Sequence, residues 1–191
     1  MEYKNRVFTS DEMKGQEFTD CEFHHCQFAG TNLRFTSFEK CTFTLCDLSA
    51  VMFDNTSFFH CRFPETKLSN LDLSDVRVKE CDFSRSIMKY CMFQQIKNGY
   101  KNERKKFDLS HAAFDQADLT GAVFLLCNLT EASFRQTILT SVAFEQCVLK
   151  QTNMSGATIS GTNFPDCKIE QAVLDVDGFI TFGTSKGFVL E

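Results

Sequence analysis

The chain has no tryptophan, only three tyrosines and only two prolines in 191 residues. With so few polar handles on its aromatic residues, its 22 phenylalanines suit a dry interior that offers no hydrogen-bond partners. No run of 18 apolar residues is present, which excludes a spanning helix by sequence. The first fifteen residues, MEYKNRVFTSDEMKG, hold no apolar stretch of signal-peptide length, so no secretory signal is expected and the chain reads as cytoplasmic. Gly/Ser or low-complexity linkers are also missing, and a chain of this length is expected to form a single domain. There is no CxxC pair, nucleophile elbow, phosphate-cradling glycine loop or HExxH helix, so the sequence asks for no catalytic residue, no cofactor and no metal.

What is present is a beat of five. From Phe8 to Phe93 every fifth residue is apolar, eighteen positions in succession, seven of the first ten being phenylalanine. The beat fails at Asn98 and resumes one residue out of phase at Leu109, running through Phe114, Leu119 and Phe124 to Phe179, fifteen more without exception. Neither a helix (3.6) nor a strand (2) has this period. From Cys21 to Cys91 and from Ala112 to Ala172, the position two residues before each large side chain holds a small one, mostly Cys, Ala or Thr, with Leu71 the large exception. Residues two apart point the same way on extended backbone, so each unit is a short extended segment with an inward pair and a polar corner. The corners carry turn chemistry: Ala29-Gly30, Asp54-Asn55, Ser69-Asn70, Thr120-Gly121, Ser155-Gly156 and Ser160-Gly161.

Such segments satisfy their backbone only by stacking on copies of themselves, about 4.8 Å apart. Cys21, Cys41, Cys61 and Cys81 recur every twenty residues, as do Cys127, Cys147 and Cys167. Twenty residues are four units, which predicts a four-sided β-solenoid.

CDLSA (46–50), ADLTG (117–121) and CNLTE (127–131) resemble the motif of the pentapeptide-repeat family: Ala or Cys, then Asp or Asn, then Leu or Phe, then two variable residues. The resemblance spans about residues 8 to 179. The Asp/Asn position departs from it at Met52, Ile87, Met92, Val123, Ile138 and Val148, which leaves the inward pair intact. It implies an all-β, right-handed quadrilateral β-helix of about eight coils, a rod of roughly 40 Å, interrupted by one loop. One domain over 1–191 then divides into repeats at 8–96, an inserted loop at 97–106, repeats at 107–179 and a C-terminal cap at 180–191.

All ten cysteines occupy the small inward slot and are expected to be inert packing thiols. His24, His25, His60 and His111 are expected at solvated corners, and His24-His25-Cys26 is not expected to share a metal, because Cys26 faces inward.

Sixteen residues separate Phe93 from Leu109 where five should. Either eleven are inserted, or Ile96 and Asn98 form a degenerate unit and six are. The second reading continues the Cys81 column at Cys127 and resumes the Phe18, Phe38, Phe58 column at Phe124, and is preferred here. Lys97, Lys101, Arg104, Lys105 and Lys106 against Glu103 give residues 97–106 a charge of +4, within a chain of net charge −5. The remainder is an acidic rod, and a loop on a rigid scaffold is where binding usually resides. Lys97, Tyr100, Lys101, Arg104, Lys105 and Lys106 are therefore candidate partner contacts, the alternative being a solvated loop kept polar by exposure alone.

Within the family, the chain is similar to the quinolone-resistance (Qnr-type) proteins in length, acidity and a mid-rod loop. That resemblance implies a cytoplasmic bacterial protein, not an enzyme, whose DNA-mimicking rod binds DNA gyrase or topoisomerase IV and protects it from quinolones or toxins. It also implies no direct nucleic-acid or membrane contact, and a homodimer joined through the C-terminal end. A scaffold for a different protein partner is the alternative. The glycine-punctuated runs FITF and FVL at 179–190 read as a hairpin covering the open end.

Overall fold

The computed structural model describes residues 1–94 and 106–191. Its backbone is a parallel β-solenoid in which each short strand pairs in register with the segment twenty residues later: Tyr3 with Phe23, Phe18 with Phe38 and Phe124 with Phe144. Four walls result. The inward columns start at Tyr3, Phe8, Met13 and Phe18 for the first to fourth walls. On the second wall the pairing is a continuous line of single bridges, Val7 to Gln27, Asp47, Lys67, Ile87, Asp118, Ile138 and Thr158.

The expected inward pair is observed. Phe23, Phe38, Phe43, Phe63, Phe93, Phe114, Phe124, Phe134 and Phe144 are all buried. In-register parallel stacking puts identical rings directly above one another. The first wall carries seven rings in one stack, Tyr3, Phe23, Phe43, Phe63, Phe83, Phe114 and Phe134, with centroids 4.7–5.2 Å apart. Neighbouring walls meet edge-to-face, as Phe23 does Phe38 at 6.2 Å, so the core uses both favourable aromatic geometries.

The small slot has a second duty. Thr36, Thr56 and Thr66 donate their hydroxyls to the carbonyls of Met13, Leu33 and Phe43, each one coil below, at 2.6–2.7 Å. Cys41, Cys46 and Cys61 direct their thiols to Phe18, Phe23 and Phe38 in the same way at 3.3–3.5 Å. Cys and Thr thus interchange because both fill a small volume and place a donor at the same spot. The thiols are free, nine of them buried and Cys167 half-buried. Burial pushes the Cys46 and Cys91 thiols up to about 12.

Corners fall two residues after each large side chain, in the left-handed region. His25, Asn55 and Asn70 have φ of 52°, 52° and 58°, and Gly30 and Gly121 take the same conformation at 71° and 69°. Each non-glycine corner costs about 1–2 kcal/mol, offset by a bond to the coil above, as from His25 N–H to the Thr44 carbonyl at 3.0 Å. The Asp or Asn of the motif serves the same turn: Asp47, Asp82 and Asn153 accept the backbone N–H two residues on, at 2.9–3.0 Å.

Across the interruption the ladder corrects the expected register. Met92 pairs with Val123 and Phe93 with Phe124, a step of 31 residues where the flanking coils step 20, so eleven residues are inserted rather than six. The rings of Phe93 and Phe124 stack at 4.3 Å and 2°. Cys81 is followed on its wall by Ala112, since Asp82 bridges Ala113, whereas Cys127 pairs with Phe107 on the adjacent wall. The two cysteine columns are therefore on different walls, and Phe124 continues the Met13 column rather than that of Phe18.

The end of the chain is a second correction. In place of a hairpin, α2 (Val176–Ser185) crosses the last coil. Asp175 caps it, accepting the Gly178 N–H at 2.8 Å and, with its other oxygen, the Gly156 N–H at 2.6 Å. A last coil has no rung above to pair with, and a helix satisfies its own backbone groups. Gly187, at φ 87°, ends the helical turn. Phe182 packs on the Phe164 ring at 6.0 Å. Phe179, fifteenth in the second run, lies in α2 and is 62% exposed.

Candidate interaction surfaces

With an interior filled by side chains, anything the rod binds meets its outer walls, its ends or the chain at the interruption. Outward residues stand in columns with one residue per coil, so charges on successive coils become neighbours. Arg34 pairs with Asp54 at 2.7 Å, Arg85 with Glu65 at 2.8 Å and Lys150 with Glu170 at 3.5 Å, each across one coil. Lys89 lies 2.9 Å from Asp118, and that bond raises the Lys89 ammonium above its ordinary value. His60 with Glu80 and His111 with Glu131 repeat the pattern at 3.3 and 3.4 Å. Some wall carboxylates are thus bridged to a cation, others, like Asp47 and Asp82, tie their own turn, and Asp118 does both.

His25, His60 and His111 are corner residues of positive φ, as expected. His24 instead ends the strand Glu22–His24, its Nε2 3.2 Å from Glu22 and 3.5 Å from Glu2, while Glu2 also holds Lys4 at 2.7 Å. His25 is exposed and Cys26 is buried, which separates them.

Of the basic residues expected to contact a partner, Lys106 is exposed and leads into the buried Phe107. Lys97, Tyr100, Lys101, Arg104 and Lys105 lie outside the described residues. On the third wall and the corner that follows it, Met92, Val123, Leu125 and Leu126 are half-buried and form an apolar border. No single unit shows this border, because Met92 and Val123, both departures at the Asp/Asn position, become neighbours only when the coils stack.

The C-terminal end, expected as the self-association surface, is a helix rather than the expected hairpin. Ile169, Phe179 and Phe188 are 55%, 62% and 73% exposed, and Val176, Val189 and Leu190 are exposed beside them. An apolar crevice lined by Met154, Phe164, Ile169, Leu174 and Phe182 opens next to this group. Large contiguous apolar patches are uncommon on the surface of a monomer. The signal in the sequence was the spacing Val176, Phe179, Ile180 and Phe182, which is helical. Among the described residues, no helix is long and apolar enough to cross a membrane.

A family model described as "Pentapeptide repeat region" matches residues 16–93 and 105–174. Among solved structures, the chain is similar to trypsin-treated QnrB1, a plasmid-mediated fluoroquinolone resistance protein. The match has 15% identity and a TM-score of 0.68, and covers 100% of this chain and 99% of that one. Full-length QnrB1 matches with 15% identity and a TM-score of 0.57, over 98% and 97%. No curated protein matches the chain by sequence.

Proposed function

Because the chain belongs to the pentapeptide-repeat family, we propose that it is a non-catalytic binding protein that docks a protein partner on the outside of its rod. The partner in this reading is a type II topoisomerase, DNA gyrase or topoisomerase IV, which the rod shields from quinolones or toxins in a bacterial cytoplasm. The observation that carries it is the end-to-end fold likeness to a fluoroquinolone resistance protein, rod length included. Its acidic walls would occupy the enzyme's DNA-binding saddle, and Lys97, Tyr100, Lys101, Arg104, Lys105 and Lys106 would touch an adjacent domain. The exposed apolar end supports a homodimer joined there.

A scaffold for a different protein is the second reading. The ion pairs between coils favour it, because they neutralise carboxylates that a mimic of DNA would leave free. A gyrase supercoiling assay with ciprofloxacin separates the two. Rescue of supercoiling by micromolar protein supports the first, and deleting residues 99–104 should then abolish rescue while leaving the circular dichroism spectrum unchanged. Neither rescue nor inhibition would remove it.

A further inference from the structure

An open solenoid end is adhesive by construction, since its last rung presents unpaired backbone groups and the ends of its ring stacks. The two ends of this rod are finished in opposite ways. In the first coil the inward small slot holds Arg6, where higher coils place Cys26, Cys46 and Thr66. The Arg6 guanidinium lies 4.7 Å from the centroid of Phe8 and 5.7 Å from that of Tyr3, the lowest ring of the seven-ring stack. Glu12 clamps it at 2.8 Å. The other Glu12 oxygen accepts the Thr9 N–H at 2.8 Å and the Thr9 hydroxyl at 2.9 Å, while the Thr9 hydroxyl accepts the Glu12 N–H at 3.4 Å. These bonds, that of Arg6 foremost, hold the Glu12 carboxyl down at about 2. The short helix α1 (Ser10–Met13) that this capping box starts replaces the strand on the third wall and seats a fully buried Met13 beneath the core. The pairing edge is charged as well, through Glu2, Lys4 and Glu17. The other end is covered by α2, which satisfies its own backbone but leaves Ile169, Phe179 and Phe188 exposed.

We propose that Arg6, clamped by Glu12 and Thr9 over Tyr3 and Phe8, is a stop that keeps the C-terminal end of a second copy from stacking on the N-terminal coil, so that rods join only tail to tail. A head-to-tail contact is heterologous and does not close, so without a stop it grows into fibres. With the stop in place, such a contact would bury a guanidinium and a carboxylate between dry surfaces, and desolvating both exceeds what the apolar contact returns. The inference rests on the reading of the C-terminal end as self-associating, and the experiment separates the two.

Full-length wild type is compared with two double variants that remove both charges, Arg6→Leu with Glu12→Gln and Arg6→Gln with Glu12→Gln, by sedimentation velocity over a hundredfold concentration range and by negative-stain microscopy. Circular dichroism confirms the fold, and Arg6→Gln with Glu12→Gln carries the test if the Leu variant fails to fold. The expected result is a wild type that stops at a dimer, and variants that lengthen with concentration into end-to-end rods. Folded variants with the wild-type size distribution would overturn the stop. Adding Phe188→Asp to the variant should abolish growth; rods that persist use another surface and equally overturn it. A monomeric wild type beside a growing variant would instead sink only the native C-terminal dimer.

Discussion

Replacing Phe114 by Ala cuts the ring stack where the second run of repeats joins the first. Phe114 is fully buried and stacks on Phe83 below at 5.2 Å and Phe134 above at 4.8 Å. It also meets Phe93 and Phe124 edge-on, both at 6.0 Å. A buried Phe→Ala change costs about 3–5 kcal/mol in transfer and cavity terms, and aromatic pairs add about 0.5–1.5 kcal/mol each beyond area. The backbone around the cavity is fixed by in-register pairing on the adjacent coils, so the site cannot collapse, and the loss should be near the upper end, about 5 kcal/mol. Phe114→Leu keeps most of the volume and should cost about 1–1.5 kcal/mol. Urea titration followed by far-ultraviolet circular dichroism measures both. Because solenoid stability is a sum of nearest-neighbour terms, the Ala variant should also unfold over a broader range, its two halves uncoupled where Phe83 and Phe134 lose the ring stacked between them. A loss under about 2 kcal/mol for the Ala variant, or equal losses for Ala and Leu, would refute the claim that stacked rings hold consecutive coils together.

Alkaline pH should weaken the fold through its thiols. The folded chain holds the Cys46 and Cys91 protons until about 12, against an ordinary 9.0, so between these values the folded state binds more protons than the unfolded one and stability falls as pH rises. The upper limit is about 1.4 kcal/mol per pH unit per thiol; denaturant midpoints at pH 8 and 10.5 measure it, and Cys46→Ala with Cys91→Ala should flatten the slope. Gly121→Ala should meet two penalties, a left-handed φ of 69° costing about 1–2 kcal/mol and a Cβ 2.6 Å from the Tyr90 ring. Adding Tyr90→Ala relieves only the second, so the same Gly121→Ala cost in both backgrounds by urea titration would rule out the clash.

Much of this architecture was legible because the inward pair is a local property. Phe23, Phe43 and Phe63 had to share an interior once the beat of five was seen, and the corners at Gly30, Asn55 and Gly121 followed from which residues tolerate positive φ. The cysteines were correctly placed for the same reason: a small slot selects on volume, whatever else the residue could do. The site was less legible. A wall surface is assembled from residues twenty apart, so the ion pair of Arg34 with Asp54 and the apolar border of Met92, Val123 and Leu126 depend on stacking rather than on any contiguous string.

The sequence by itself determined the phase of the chain, which side chains face in and where it turns, because each follows from one unit of five residues. Only the tertiary structure decided which wall the chain re-enters after the interruption. A shift of five leaves every large residue facing inward, so insertions of six and eleven are equivalent to the beat; the backbone pairing of Met92 with Val123 chooses between them. The same holds for the last fifteen residues. Their apolar spacing suits a hairpin or a helix, and the helix prevails because the final coil offers no further strand to complete the hydrogen bonds of an extended chain.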